Sequence, residues 1–180
     1  KADSSYNGKD IEAINLLRGN KNKALDEAET IIQMMEEGGA QMIYHGMTES
    51  DVKAIMQYPF NMFASDAGIA MKGYGKPHPR AYGTNSRVLG RYVRTMGVLS
   101  LEEAIRRMTS LPANKFNIEK RGILQEGYYA DIVVFDADEV SDMATFEDSH
   151  QYAKGFKYIW VNGELSMDQA VQVPVKKGKS

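Results

Sequence analysis

Near residue 117 the hydrophobic pattern of this chain changes period. Before it, stretches with apolar residues three and four apart alternate with short continuous apolar runs. After it, β-branched and aromatic runs are punctuated by Gly122, Gly127 and Asn162-Gly163. The first spacing marks amphipathic helices, and short apolar runs bounded by turn residues mark buried strands. Helices alternating with strands build a parallel sheet, because parallel neighbours need a long crossover connection. The expected fold class is therefore α/β, with a β-rich end. That end carries one strong hairpin signal, Asn162-Gly163 within "FKYIWVNGELSM". A lone hairpin is too small to be stable, so it must pack on what precedes it.

The helical stretches carry their own punctuation. "DIEAINLLRG" places Ile11, Ile14 and Leu17 on one face, with Asp10 to cap it and Gly19 to stop it. "ALDEAETIIQMMEEGG" spaces Leu25, Ala28, Ile32 and Met35 as an apolar stripe and ends at Gly38-Gly39. "TESDVKAIMQYP" reads as a helix capped by Thr48 and stopped before Pro59. "TNSRVLGRYVRTMG" and "SLEEAIRRMTSLP" are helical too, the second with Ser100 and Glu103 at capping-box spacing and Leu101, Ala104, Ile105 and Met108 facing inward. "QMIYH" (41–45) and the run from Phe60 to Ala64 are the strand candidates, the latter suited to burial on both faces. Ile132–Phe135 is a further strand, 141–155 an unpatterned loop, and "VPVKKGKS" a basic tail. The eleven methionines read mostly as adaptable core filler.

Charge and composition narrow the function classes. A formal net charge of −2 offers no electrostatic case for nucleic acid or an anionic membrane surface. No apolar run approaches the ~20 residues of a membrane span. Without cysteine there are no disulfides or thiolate metal sites, and the compartment is left open. The first residue is Lys1, and no signal-peptide core follows it, so the chain is expected to begin at a cut.

The chemistry gathers in "PFNMFASDAGIAMKGYGKPHPRAYG", residues 59–83. Asp66 ends the Phe60–Ala64 run, and the C-terminal end of a parallel strand is where barrel enzymes converge their catalytic groups. A carboxylate there can move protons or ligate a metal; Asp is also common after strands as a turn or cap residue. Arg80 offers a planar fork for a carboxylate, or a surface ion pair with one of 24 acidic residues. His78, between two prolines, is a base, a ligand or a loop residue. His45 and His150 read as structural or solvated, "GYG" at 73–75 as turn glycines, and Trp160 as core. A catalytic zinc takes three protein ligands and a water. Three scattered histidines, without HxH or HExxH, leave Asp66 without the partners such a centre needs.

These residues resemble a known family. "MTESDVKAIMQYPFNMFASDAG", "HPRAYGTNSRVLGRYVR", "LSLEEAIRRMTSLPANKF", "RGILQEGYYADIVVFDAD", "TFEDSHQY" and "VNGEL" are similar, in order, to the C-terminal part of N-acyl-D-amino-acid deacylases (D-aminoacylases) of the amidohydrolase superfamily. The resemblance implies the C-terminal portion of a (β/α)8 TIM-type barrel over residues 1–116, followed by part of a small β-domain over 117–180. It implies that Asp66 is the catalytic acid/base beside a zinc-bound water and a weak metal ligand, and that Arg80 binds the α-carboxylate of an N-acyl-D-amino acid. His78 belongs to the motif and is assigned loop support. Zn(2+) is implied for the longer enzyme, with its other ligands in an N-terminal part not in this chain. The chain by itself is expected to be inactive and not to retain the metal. The family's usual Ser-Asp-Gly is here Ser65-Asp66-Ala67. Two alternatives stay open: a cyclic amidohydrolase of dihydroorotase or hydantoinase type, and a non-enzymatic α/β assembly module whose exposed strand edges pair with another chain into an oligomer.

Overall fold

The protein is described by a computed structural model covering residues 4–21, 23–39, 42–44 and 46–173. Helix α1 (Ile11–Leu17) starts where Asp10 accepts from the Ala13 amide at 2.8 Å and stops at Gly19, whose φ is 80°. It forms a hairpin with α2 (Ala24–Glu36). The seam between them is partly polar. Thr30 donates to Asn15 Oδ1 at 2.7 Å, Asn15 Nδ2 donates to the Lys21 carbonyl at 2.7 Å, and Ile14 and Met34 are buried alongside. Buried polar groups are tolerated when paired, and these are.

This seam corrects the expected stripe on α2. Leu25 is 84% exposed, and Ile32 and Met35 also face solvent. The helical period was legible, but which side turns inward depends on the partner, and α1 takes the Thr30–Met34 side.

Helix α3 (Glu49–Met56) has a complete capping box: Thr48 accepts from the Asp51 amide, and Asp51 accepts from the Thr48 amide. Helix α4 (Arg80–Arg87) runs on into a π-helical segment, Val88–Thr95, in which the Met96 amide reaches back to the Arg91 carbonyl at 2.8 Å. The wider turn was not legible in "RVLGRYVRT". Helices α5 (Leu101–Met108) and α6 (Ser110–Lys115) follow, with Ser100 capping α5 through the Glu103 amide at 3.2 Å.

Among the described residues four strands complete the fold: β1 (Ile132–Phe135), β2 (Phe156–Val161), β3 (Glu164–Asp168) and β4 (Val171–Gln172). They form one antiparallel sheet in chain order, with Ile132 opposite Trp160 and Tyr158 opposite Asp168. Asn162 (φ 53°) and Gly163 (φ 83°) turn β2 into β3, as a tight hairpin requires. Trp160, expected in the core, is half-buried and stacks on Tyr158 at 5.7 Å.

The core lies between α3, the π-helical segment, α5 and the stretch around Val140. Met56, Val88, Leu89, Tyr92, Ala104 and Val140 are buried there, and Phe135 and Phe156 of the sheet pack against them. The β-rich end thus leans on the helices, as its size demands.

Among the described residues, neither early strand candidate forms a strand; Gln41 and His45, the ends of the first, lie outside them. Met42–Tyr44 and Phe60–Ala64 have no ladder partner, and the sheet contains no parallel pair among the described residues. A strand is stabilised by a neighbouring backbone, and no described segment supplies one here. Phe60 is accordingly exposed. The basic tail from residue 174 and His45 lie outside the described residues.

Candidate functional site

The segment bearing Asp66 is anchored from α5. Arg107, only 3% exposed, donates to the Met56 carbonyl at 2.5 Å and the Tyr58 carbonyl at 2.8 Å, while its Nε binds Glu103 at 2.6 Å. Arg106 donates to the Pro59 carbonyl at 2.9 Å and to both oxygens of Glu103. These two guanidiniums, Arg106 first, hold the Glu103 carboxyl down at about 2. Three carbonyls at the exit of α3 are thereby tied down just before residues 60–66. Sequence patterning singled out neither Arg106 nor Arg107; it marked Glu103 only for its capping-box spacing from Ser100.

From this anchor residues 61–65, without regular secondary structure, lead to Asp66, which adopts φ 47°. Asp tolerates the left-handed region better than most residues, and such strain concentrates at functional sites. Residues 67–79 form an irregular loop, and Arg80 begins α4 after it. The Arg80 Nη2 lies 3.0 Å from Asp66 Oδ2, so the structure brings these two sequence candidates together. Both are open to solvent, with the Asp66 side chain 86% exposed. His78 lies two residues before Arg80, on that loop. Its Nδ1 accepts from the Arg80 amide at 3.0 Å, and its ring meets Phe146 edge-on at 5.1 Å.

His150, which sequence patterning left in an unpatterned loop, sits in a polar and aromatic cluster. Its Nδ1 is 3.0 Å from the Tyr82 hydroxyl and 3.4 Å from the Gly73 amide, and its Nε2 is 3.0 Å from the Gly75 carbonyl. Tyr82 and Tyr152 pack edge to face beside it.

The π-helical segment and α4 are pinned to residues 137–142. Arg94 donates to the carbonyls of Ala137 and Val140 at 2.8 and 2.7 Å, and Arg87 binds Asp142 at 2.7 Å. At Gly90 a Cβ would come within 2.5 Å of the Val140 carbonyl oxygen, so glycine is what allows this approach.

The Amidohydrolase family pattern matches residues 16–167. The chain belongs to the amidohydrolase family. Over 156 residues it is 40% identical to the D-aminoacylase of Alcaligenes xylosoxydans xylosoxydans, covering 87% of this chain and 30% of that protein. A solved D-aminoacylase, studied for its binuclear metal centre, superposes with a TM-score of 0.84 at 36% identity, over 97% of this chain and 35% of its own. The N-acyl-D-glutamate deacylase of Bordetella bronchiseptica, solved with zinc and a phosphonate inhibitor that mimics the tetrahedral intermediate, superposes with a TM-score of 0.75 at 34% identity, over 91% and 34%. This amidohydrolase chain therefore spans about a third of the length of the relatives it matches.

A catalytic zinc takes three protein ligands, and no group of three or more His, Asp or Glu among the described residues is placed to hold a metal ion. Asp66 is a single oxygen donor already facing a guanidinium. The described residues do not make a metal centre by themselves.

Proposed function

We propose that this chain is the C-terminal part of a zinc-dependent amidohydrolase that cleaves the amide bond of N-acyl-D-amino acids, releasing a carboxylate and a free D-amino acid. Residues 1–116 are then the C-terminal part of a (β/α)8 barrel, and 117–180 part of its small β-domain. The metal would take its main ligands from outside the described residues, with Asp66 as a weak ligand, and the chain alone is expected to be inactive.

The Asp66–Arg80 pair carries this reading, because it sets a proton-transfer group beside a carboxylate-binding group at 3.0 Å. Asp66 accepts a proton from the attacking water and returns it to the leaving amine nitrogen, which would otherwise depart as an unstable anion. Arg80 holds the substrate's α-carboxylate by charge-assisted hydrogen bonds, so an N-acyl compound lacking that carboxylate loses its anchor. Asp66 contacts the fork through Nη2 alone, and a substrate carboxylate at Arg80 competes with that contact. His78 supports the loop through the Arg80 amide.

The test is hydrolysis by the full-length protein, with and without a chelator. N-acetyl-D-amino acids should be cleaved, their L-enantiomers and the decarboxylated N-acetylamines should not, and zinc should restore chelated enzyme. Cleavage of hydantoins or dihydroorotate in preference to N-acetyl-D-amino acids would overturn the proposal.

A further inference from the structure

The loop between Asp66 and Arg80 packs against a distant segment, and its Lys76 also lies against Gly8. Lys72 Nζ lies 4.9 Å over the Tyr152 ring, Gly73 and Gly75 bracket His150, and the His78 ring meets Phe146. Tyr152, His150 and Phe146 all belong to residues 146–152, remote in sequence from the loop they support. His150 is the centre of the contact. The Gly75 carbonyl can only accept, so Nε2 carries the ring proton and donates to it at 3.0 Å. The Gly73 amide can only donate, so Nδ1 is the acceptor, and at 3.0 Å it also accepts from the Tyr82 hydroxyl. Tyr82 lies in the first turn of α4, two residues after Arg80. One imidazole thus joins the glycine loop, the start of the Arg80 helix and the 146–152 segment.

We propose that His150 is a positioning residue, which fixes loop 67–79 and thereby the placement of Arg80 against Asp66. The loop has no secondary structure and contains Gly68, Gly73 and Gly75, which widen its conformational freedom. Groups that bind or react need placement to a fraction of an ångström, and a loop alone does not supply it. The catalytic consequence rests on the roles proposed above for Asp66 and Arg80; the structural one does not.

The experiment uses the full-length protein with His150→Phe, which keeps a ring and removes both nitrogens, and His150→Gln, which keeps an acceptor and a donor. Amide hydrogen exchange in peptides from 67–79 should quicken about 10-fold in His150→Phe, the scale of one or two net hydrogen bonds. It should recover at least partly in His150→Gln, while peptides from 101–115 stay unchanged. With N-acetyl-D-amino acids, KM should rise more than kcat falls. Unchanged exchange in 67–79 in folded His150→Phe overturns the proposal. Should His150→Phe loosen 101–115 as well, Tyr82→Phe decides: quicker exchange confined to 67–79 supports the role, and none overturns it. If the parent enzyme lacks deacylase activity, the kinetic arm falls with the proposed function, while hydrogen exchange still tests whether His150 holds the loop.

Discussion

The guanidinium of Arg80 meets the carboxylate of Asp66 at 3.0 Å, joining the two ends of loop 67–79, with both groups in contact with solvent. An exposed ion pair contributes only about 0–1 kcal/mol, so fold stability gives little reason for the arrangement. On the proposed function, Asp66→Asn in the full-length protein should lower kcat by roughly 10²–10⁴-fold, the range for a lost acid/base group, with little change in melting temperature. Arg80→Lys keeps the charge and loses the fork, and should raise KM by about 10-fold. Steady-state kinetics beside thermal melts check both; kcat within about twofold of the parent in Asp66→Asn would remove that residue from the chemistry.

Glu103 makes stability pH-dependent. Its carboxyl is held at about 2 in the folded protein by Arg106 and Arg107, against 4.5 for the free side chain. A depressed folded pKa means that the stabilisation is fully present above the unfolded value and is lost as pH falls toward the folded one. Glu103→Gln should therefore be less stable than the parent at neutral pH, with the gap narrowing between about pH 4.5 and about pH 2. Urea denaturation midpoints across that range measure it, and a gap constant with pH contradicts it.

Arg107 is buried among two backbone carbonyls and a carboxylate. Arg107→Met keeps much of the stem but orphans those acceptors, and should cost about 3 kcal/mol. Because the same carbonyls anchor the chain leading to Asp66, catalytic activity should fall as well, even in molecules that remain folded. Chemical denaturation paired with kcat per folded molecule separates the two effects.

Gly90→Ala should destabilise by about 1–3 kcal/mol, the usual cost of overpacking. Its new methyl would meet the Val140 carbonyl oxygen at 2.5 Å and Ser141 Cα at 3.1 Å, both backbone atoms with little freedom to withdraw. Gly68→Ala is the control, since a Cβ there meets nothing within 4 Å. Equal melting temperatures for the two variants would contradict the close approach of the π-helical segment to residues 140–141.

Local features were legible because they rest on neighbours in sequence. The caps at Asp10, Thr48 and Ser100 bond to amides three residues on, and Asn162-Gly163 turns the hairpin through its own backbone angles. Asp66, Arg80 and His78 were marked by residue type and by the motif around them. Arg107, His150 and Tyr82 were not, because their partners are distant in the chain: Met56 lies 51 residues from Arg107, and Gly73 lies 77 from His150.

By itself the amino-acid order determined where α1, α3 and α5 begin, where the hairpin turns, and which side chains near residue 66 could do acid–base or carboxylate-binding chemistry, since each depends on short-range geometry or intrinsic reactivity. Only the tertiary structure decided which side of α2 is buried, that 60–64 lacks a ladder partner among the described residues, and that Arg80 reaches Asp66. Those outcomes depend on which distant surfaces meet, and periodicity along a chain carries no information about the partner across the contact.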